Sequence, residues 1–236
     1  MIAYPNQYKK ITIVCYPYGA GGNFLINCLT LSDDAVFRSS ALAQQQLNGQ
    51  FSYNDKLNYL LEKLATAKNS TVWNDLELGC EDFYGVENET YSVQYHEVIA
   101  HRMNRVVYNT IDHDKHMFLV AHTKFQLRAY QNFWPNASLI LFTDFAEFLN
   151  KRPQLNRTPV DDLFLQLHGA DLSSIYSEQI CPAVKFPVAT AYKNPDNFLD
   201  CYYYIADFLD ITATNGSDLV MLFNKWQTAM SYASLK

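Results

Sequence analysis

The sequence predicts an α/β domain in which helices enclose a central parallel β-sheet, and three observations carry this prediction. Short apolar runs recur along the chain and have the pattern of strands buried on both faces. A helical pattern follows each run or separates it from the next one. The first run meets its helix through a glycine-rich turn. These features predict a doubly wound, three-layer sheet that binds ligands at the carboxyl ends of its strands.

The individual elements follow from local patterns. The predicted strands are Ile11–Cys15, Met117–Ala121, Ser138–Phe142 and Val184–Ala189. The predicted helices are Gly22–Leu31, Asp55–Ala67, Val93–Asn109, Lys124–Asn132, Asp144–Lys151, Asp161–Leu167, Pro195–Leu209 and Ser217–Ala233. In the second of these helices Asn54 is the predicted N-cap, because leucines recur at helical spacing directly after it.

The chain length and one long connection predict a single domain with an insertion. The 236 residues suit one α/β domain spanning residues 1–236. The interval from about residue 33 to residue 91 precedes the second predicted strand and is too long for a simple loop. It contains one clear helical pattern and several apolar positions. We therefore predict a helical insertion after the first helix, or a lid over the site, at about 33–91.

Composition argues against several classes of partner. The formal net charge of −6 argues against a general nucleic-acid binder, which normally carries a basic face, and leaves open a local basic pocket for a nucleotide. No apolar run approaches the ~20 residues of a membrane span, and the first residues carry no apolar leader-like run. The five cysteines are scattered without a Cys-x-x-Cys pair, which predicts reduced thiols and a cytoplasmic location. The oligomeric state stays open.

The glycine-rich turn is the strongest functional signal. Gly19, Gly21 and Gly22 fall within four positions, and an apolar helical pattern starts at once. Strand, glycine turn and helix in this order direct backbone N–H groups at a phosphate. Asn23 and Phe24 stand where a nucleotide triphosphatase would carry Lys and Ser or Thr. The pattern predicts a phosphate-binding turn without that lysine, and a plain tight turn is the alternative.

The order of later segments adds to this signal. His122 stands at the end of the predicted strand Met117–Ala121, and Trp134-Pro135 leads into the next strand. Asn194-Pro195 then opens the helix Pro195–Leu209. With Tyr16-Pro17 at the start of the turn, this order resembles the P-loop sulfotransferases over roughly residues 11–31 and 117–211.

The resemblance is closest to short, divergent sulfotransferase-like proteins of marine bacteria and their phages. It implies a three-layer P-loop NTPase-like fold. It also implies transfer of a sulfuryl group from 3′-phosphoadenosine-5′-phosphosulfate (PAPS) to a hydroxyl, with no metal. The acceptor expected from this resemblance is a carbohydrate or a small metabolite.

The resemblance assigns a set of cofactor-binding residues. They are Tyr18, Gly19, Ala20, Gly21, Gly22, Asn23 and Phe24 at the 5′-phosphosulfate, and Thr143, Lys151 and Arg152 near the 3′-phosphate. The loop lysine of the family falls at Tyr18 or Gly19, and its 3′-phosphate arginine falls at Thr143. These departures favour an alternative function, a P-loop nucleotide- or phosphate-binding protein without transfer activity.

The resemblance also assigns His122 as the catalytic histidine. A general base near a reacting hydroxyl is typically worth about 10²–10⁴-fold in rate. The N–H groups of Gly21, Gly22 and Asn23 would face the charge that develops on the sulfuryl oxygens. A histidine with a purely structural hydrogen bond is the alternative for His122.

Other chemistry has weaker signals. Asp112, His113, Asp114 and His116 offer metal-ligand types close together, but Lys115 intervenes and no further ligand follows at a fixed spacing, so no metal site is predicted. A kinase-like phosphotransferase needs the loop lysine and a carboxylate at a strand end, for which Asp144 is the one candidate. Lys151 and Arg152 are alternatively charges that complement a helix C-terminus.

Overall fold

The structure, a computed structural model, describes residues 10–16, 20–37, 49–66, 114–121, 134–144 and 182–233, with 127 and 131 as isolated helical positions. The described strands are β1 (Ile11–Cys15), β2 (Met117–Ala121), β3 (Ser138–Thr143) and β4 (Ala183–Pro187). The described helices are α1 (Gly22–Leu29), α2 (Tyr53–Thr66), α3 (Val188–Ala191), α4 (Pro195–Leu209) and α5 (Gly216–Ala233).

The described strands form one parallel sheet in the order β2-β1-β3-β4. β1 pairs with β2 from Ile11↔Met117 to Cys15↔Ala121 and with β3 on its other side. The chain therefore leaves β1 for one neighbour and later returns to the opposite neighbour. Such a reversal is a topological switch point, and ligands of open α/β sheets bind there, outside the carboxyl ends of the strands. The α/β fold class predicted from the sequence is confirmed at this level.

The predicted strands agree with the observed ones to within one residue, except at the carboxyl end of β4. β1 and β2 have the predicted bounds, and β3 is one residue longer than predicted, ending at Thr143. The prediction Val184–Ala189 is wrong at its carboxyl end, because β4 stops at Pro187 and the next residues form α3. Val188 and Ala191 of α3 are buried, so this helical turn packs into the core that an extended strand was expected to fill.

Four of the predicted helices, those that correspond to α1, α2, α4 and α5, are confirmed with small shifts at their ends. α4 has the predicted bounds, α1 ends at Leu29 and α5 begins at Gly216. Asp144 has a φ of 58°, so the helix predicted for Asp144–Lys151 does not begin at that residue. Val93–Asn109 and Asp161–Leu167 lie outside the described residues. Lys124–Asn132 is described only at positions 127 and 131, both helical.

The core lies on the face of the sheet that the described helices cover. Side chains alternate along β1, so that Val14 faces the helices while Ile13 and Cys15 face the other way. Apolar residues from all four strands and from α1, α2, α4 and α5 form one cluster on the helical face. Ile13 and Cys15 are equally buried, which explains why β1 is a continuous apolar run rather than an alternating one.

Local capping explains where α4 begins and ends. The Asn194 side chain accepts a hydrogen bond from the Asn197 N–H at 2.8 Å, and Pro195 occupies the first helical position. Asp210, with a φ of 54°, ends the helix in the left-handed conformation. The buried stripe that packs α4 includes Phe198, Tyr202 and Leu209. Burial raises the pKa of Tyr202 to about 12, so its hydroxyl stays protonated and donates to Thr214.

The cap of α2 differs from the prediction. Ser52 and Asp55 form a reciprocal capping box, in which the Ser52 N–H donates to Asp55 Oδ2 at 2.8 Å and the Asp55 N–H donates to Ser52 Oγ at 3.3 Å. The prediction that Asn54 caps this helix is therefore wrong. Asn54 lies inside the first turn, since α2 begins at Tyr53.

The start of α2 lies at the amino edge of the sheet. Lys56 is fully buried, and its ammonium donates to the carbonyls of Leu31 and Ser32 at 3.1 and 3.2 Å and to Asp33 Oδ1 at 2.9 Å. The segment from Leu31 to Asp33 follows α1. Shortly after it, Ala35 forms a parallel β-bridge with His116, which directly precedes β2. Burial lowers the pKa of Lys56, and the Asp33 carboxylate offsets the shift in part. The first turn of α2 is thus anchored at the end of α1 remote from the glycine turn, and most of the predicted lid lies outside the described residues.

The described residues bear on two predictions made from composition, one about the cysteines and one about membrane-spanning segments. Cys15, Cys28 and Cys201 form no disulfide within the described part of the chain, and burial raises the pKa of the Cys28 thiol, which keeps it protonated. None of the described helices combines the length and the apolar character needed to cross a bilayer.

His116 is a buried histidine at the amino edge. Its backbone N–H donates to the Asp34 carbonyl at 2.7 Å, and its carbonyl accepts from the Val36 N–H at 2.8 Å. Within the described ranges neither ring nitrogen has a well-formed hydrogen bond. Burial lowers the pKa of His116 and Lys10 lowers it further, while Asp34, Asp210 and the Leu209 carbonyl offset part of the shift. The ring is therefore neutral at pH 7.

We expect the protein to lose stability on acidification through His116. The unfolded chain takes up the His116 proton near the ordinary pKa of about 6.5, whereas the folded chain does so only at lower pH. The stabilisation is complete above that pH and is lost as the pH falls toward the folded pKa. Urea unfolding between pH 8 and pH 5 measures this decline, and His116→Phe should remove the part due to this ring.

The wild type and His116→Phe are titrated at the same constant ionic strength, and the wild type is the control. An unfolding free energy that declines equally in the wild type and in His116→Phe would show that the ring does not carry the effect. Because Phe places no polar atom in the buried site, the variant should keep its fold at pH 7.

Candidate functional site

The connection between β1 and α1 lies at the carboxyl edge of the sheet, beside the switch point between β1 and β3. Tyr16 extends β1 by one residue, because its N–H donates to the Ala121 carbonyl at 3.2 Å. The described chain resumes at Ala20, and α1 starts at Gly22. The N-terminus of α1 therefore opens toward the region where open α/β sheets bind ligands.

Two aromatic side chains, those of Tyr192 and Trp226, pack closely against Gly21. Its φ is 78°, a left-handed conformation that glycine adopts without steric cost. A Cβ at this position would lie 2.8 Å from a Tyr192 ring carbon and 3.1 Å from a Trp226 ring carbon. The Tyr192 hydroxyl also donates to the Gly21 carbonyl at 2.7 Å. Both the backbone angle and the close packing therefore require glycine here.

Gly22 is required by packing alone. The buried Tyr16 ring lies against it, so that a Cβ would be 2.3 Å from the ring carbons. The same ring packs on Phe142 of β3, with centroids 5.3 Å apart. The Tyr16 hydroxyl donates to the Asn23 side-chain oxygen. Tyr16 thus links the end of β1, the end of β3 and the first turn of α1.

The first turn of α1 offers backbone N–H groups to an anion. Gly21 is the N-cap and supplies no side-chain hydrogen bond to the turn. The Phe24 and Leu25 N–H groups donate back to the Gly21 carbonyl at 3.1 and 3.4 Å, as the helix begins. The N–H groups of Gly22 and Asn23 precede the first helical hydrogen bonds, and the helix dipole adds partial positive charge of about half a unit there.

Two of the predicted cofactor-binding residues have a packing role. Phe24 is buried and stacks on Trp226, with ring centroids 4.4 Å apart and planes 7° from parallel. Tyr192, Phe198 and Phe223 also pack around Phe24. Ala20 is fully buried. The contribution of Ala20 and Phe24 to a ligand would therefore come through the backbone they position, not through their side chains.

The end of β3 carries Thr143, where the resemblance places a 3′-phosphate contact. Its hydroxyl donates to the Asp144 carboxylate at 3.5 Å, and Asp144 is exposed with its φ in the left-handed region. A left-handed conformation is uncommon for a residue with a Cβ. Thr143 thus offers a hydroxyl without charge, and the carboxylate beside it opposes a phosphate at this position.

The remaining predicted site residues lie outside the described residues. They are Tyr18, Gly19, His122, Lys151 and Arg152. Ala121, which precedes His122 in the chain, ends β2 opposite Cys15 and accepts the Tyr16 N–H. The strand that leads to His122 therefore ends level with the end of β1.

Two of the described lysines lie away from this edge. Lys56 and Lys115 both bind around Asp33, at the amino edge of the sheet. Asp114 and His116 belong to the same region, while Asp112 and His113 lie outside the described residues. In the described ranges no three metal-ligating side chains come together.

Several residues around the turn escaped the sequence-based prediction. Tyr192 and Trp226 contact Gly21 although they are distant from it in sequence, and no local pattern marks such contacts. Tyr16 was expected only as part of the loop, whereas its ring occupies the space beside Gly22. The left-handed conformation of Asp144 has no sequence signal either, since Asp tolerates it without requiring it.

Substitution of Gly21 tests whether aromatic packing, and not backbone angle alone, fixes the turn. Gly21 and Gly49 share a left-handed φ of 78° and 71°, but a Cβ at Gly49 would meet nothing within 4 Å. Gly21→Ala adds overpacking against Tyr192 and Trp226, which costs about 1–3 kcal/mol beyond the backbone strain. We expect Gly21→Ala to lower the unfolding free energy more than Gly49→Ala, as measured by urea denaturation. Equal losses in the two variants would contradict the packing role.

Comparison of the chain with protein-family models, with curated proteins and with solved structures found no match in any of the three.

Proposed function

We propose that this chain is a sulfotransferase-like protein that binds PAPS at the carboxyl edge of its sheet. In this proposal it transfers the sulfuryl group to a hydroxyl of a carbohydrate or small metabolite. The β1–α1 turn binds the 5′-phosphosulfate, and the fold is of the P-loop type. Cys15 and Cys28 form no disulfide among the described residues, which suits the reducing environment of a cytoplasmic location.

The observation that carries the proposal is the position of the glycine turn. It joins the central strand β1 to the buried helix α1 and stands at the switch point between β1 and β3. N–H groups at the start of a helix and the helix dipole both favour an anion at this place. The end of β2, just before His122, lies level with the same turn.

The proposed reaction uses groups at two strand ends. His122 accepts the proton of the acceptor hydroxyl as its oxygen forms a bond to sulfur. The bond between sulfur and the bridging oxygen of PAPS breaks, and 3′-phosphoadenosine-5′-phosphate leaves with that oxygen and its electron pair. Backbone N–H groups of Gly22 and Asn23 stabilise the charge on the sulfuryl oxygens and on the leaving phosphate.

A second candidate function is a nucleotide- or phosphate-binding protein without transfer activity. The charges at the carboxyl edge favour this candidate. Asp144 is exposed there, and Thr143 stands where the sulfotransferase resemblance expects an arginine. Lys56 and Lys115 are held at the opposite edge by Asp33 and do not compensate for this. The two functions differ in whether a sulfuryl group is transferred once the nucleotide is bound.

Binding of the product nucleotide is the first test. A ligand at ~100 times its dissociation constant stabilises a folded protein by about 2.7 kcal/mol, a shift of a few degrees for a chain of this size. We expect 3′-phosphoadenosine-5′-phosphate to raise the melting temperature, and ATP or inorganic phosphate to do so less. No shift with any of the three would contradict both candidate functions.

The His122→Ala variant then separates the two candidates. We expect it to bind the nucleotide as the wild type does, but to lose about 10²–10⁴-fold in the rate of sulfuryl transfer, because the general base is absent. Transfer is measured with radiolabelled PAPS and a panel of sugar and small-molecule hydroxyl acceptors. Nucleotide binding in the wild type without transfer to any acceptor would favour the binding protein.

A further inference from the structure

His116 joins two described segments at the amino edge of the sheet. It forms a parallel β-bridge with Ala35. Its N–H donates to the Asp34 carbonyl at 2.7 Å, and its carbonyl accepts from the Val36 N–H at 2.8 Å. The side chain is only 5% exposed, and its ring centroid lies 6.5 Å from that of Phe118. The imidazole is therefore part of the packing that holds residues 34–36, here called the amino-edge segment, against the start of β2.

A histidine is a costly residue at this buried position. In the part of the chain that the structure describes, neither ring nitrogen of His116 has a hydrogen-bond partner. A buried polar group without a partner destabilises the folded state, and an apolar ring of similar size would fill the space without that cost. Unlike an apolar ring, a histidine takes up a proton at mildly acidic pH. The unpartnered ring therefore points to a role in titration.

Charged groups from three elements lie around the ring. Lys10, just before β1, disfavours the protonated ring, whereas Asp34 after α1 and Asp210 at the end of α4 favour it. Lys115 is adjacent in the chain, and its ammonium donates to a main-chain carbonyl. Burial and Lys10 together outweigh the two carboxylates and hold the pKa of His116 below its ordinary value of about 6.5. The closed edge thus contains a neutral imidazole at pH 7.

Asp210 offers a protonated ring an acceptor at the surface. It is exposed and ends α4 with a φ of 54°, a conformation that glycine adopts with less strain. Its carboxylate also stands at the helix C-terminus, where the dipole disfavours negative charge. Among the described residues this carboxylate has no hydrogen bond, and the Leu209 carbonyl beside it also favours the protonated ring. A proton-dependent contact with His116 would explain a carboxylate at this unfavourable position.

The amino-edge segment is held by fewer hydrogen bonds than the sheet. Besides the bridge to His116, the Asp34 carboxylate accepts the Thr212 N–H at 2.7 Å, in the connection after α4. The segment buries only two small apolar side chains, those of Ala35 and Val36. β1, in contrast, pairs along its whole length with β2 and also pairs with β3. Segments with few hydrogen bonds and little buried apolar surface open at a lower free energy than a sheet core.

We propose that His116 is a pH-sensitive switch that releases the amino-edge segment from β2 at mildly acidic pH. A ring nitrogen takes up the proton, and the imidazolium turns from its packing on Phe118 toward the Asp210 carboxylate. The bridge to Ala35 then opens while the sheet stays folded. This local opening is distinct from the loss of global stability expected from the same ring. It does not depend on the proposed function, because the glycine turn lies at the opposite edge.

Hydrogen exchange at individual amides, followed by NMR between pH 8 and pH 5, tests the switch. The amides of Val36, His116 and Thr212 all donate within the contacts that open. Their exchange rates are divided by those of an unstructured chain at the same pH, which gives protection factors. We expect constant protection above about pH 7, and a loss of up to about tenfold per pH unit below about pH 6.5, because opening takes up one proton.

Urea separates local opening from global unfolding. Low concentrations of urea should leave the protection of Val36 and Thr212 nearly unchanged, since a local opening exposes little surface. The β1 amides should have higher protection at every pH and should lose it as urea is added.

Two variants test the roles of the ring and of its partner. His116→Phe keeps an aromatic ring beside Phe118 but takes up no proton, so the protection of Val36 should not change with pH. Asp210→Asn keeps the size of the side chain and removes its charge. We expect it to reduce the loss of protection at pH 5 by up to about fivefold, the effect of an exposed ion pair. Asp207→Asn, which removes another exposed carboxylate near the end of α4, is the matched control and should behave as the wild type.

Three results would overturn parts of this account. Equal pH-dependent loss of protection in the wild type and in His116→Phe overturns the switch. Amides of the amino-edge segment that match the β1 amides in protection and in urea dependence overturn the local opening. Equal effects of Asp210→Asn and Asp207→Asn overturn Asp210 as the partner of the protonated ring.

Discussion

The close packing of aromatic rings on two adjacent glycines is the constraint on which the arrangement of the site depends. Tyr192 and Trp226 press on Gly21, and the Tyr16 ring presses on Gly22. A Cβ at either position would enter the space of a ring, so the start of α1 is fixed from both sides. The glycines therefore serve to bring the helix N-terminus close to β1, and this role does not depend on any ligand.

The same packing connects distant parts of the chain to the turn. Phe24 stacks on Trp226 of α5, and the Tyr192 hydroxyl holds the Gly21 carbonyl. At the other end of α1, Lys56 of α2 binds the carbonyls of Leu31 and Ser32. The helix is thus held at both ends by residues far away in sequence. This arrangement suits the proposed binding of an anion, because N–H groups that are already fixed need no reorganisation when a ligand arrives.

The sequence predicted most of the described elements but not the contacts between them. The bounds of β1, β2 and α4 were predictable, since continuous apolar runs and the Asn194-Pro195 start are local signals. The end of β4 was not, because the burial of Val188 in a helical turn depends on tertiary packing. In the site, the turn was predictable from its glycines, whereas the ring contacts of Trp226 arise from long-range packing. The sulfotransferase assignment stays a prediction.

Nuclear magnetic resonance tests the central claim most directly, namely that the β1–α1 turn is where a nucleotide binds. ¹H–¹⁵N spectra are recorded while 3′-phosphoadenosine-5′-phosphate is added to the protein. The account predicts that the amide signals of Gly21, Gly22 and Asn23 shift most. Two other glycines serve as internal references. Gly216 stands at the start of α5, where a Cβ would meet the Tyr203 hydroxyl, and a Cβ at Gly49 would meet nothing within 4 Å. Largest shifts at Gly216 or along α2, with the turn unchanged, would contradict the account.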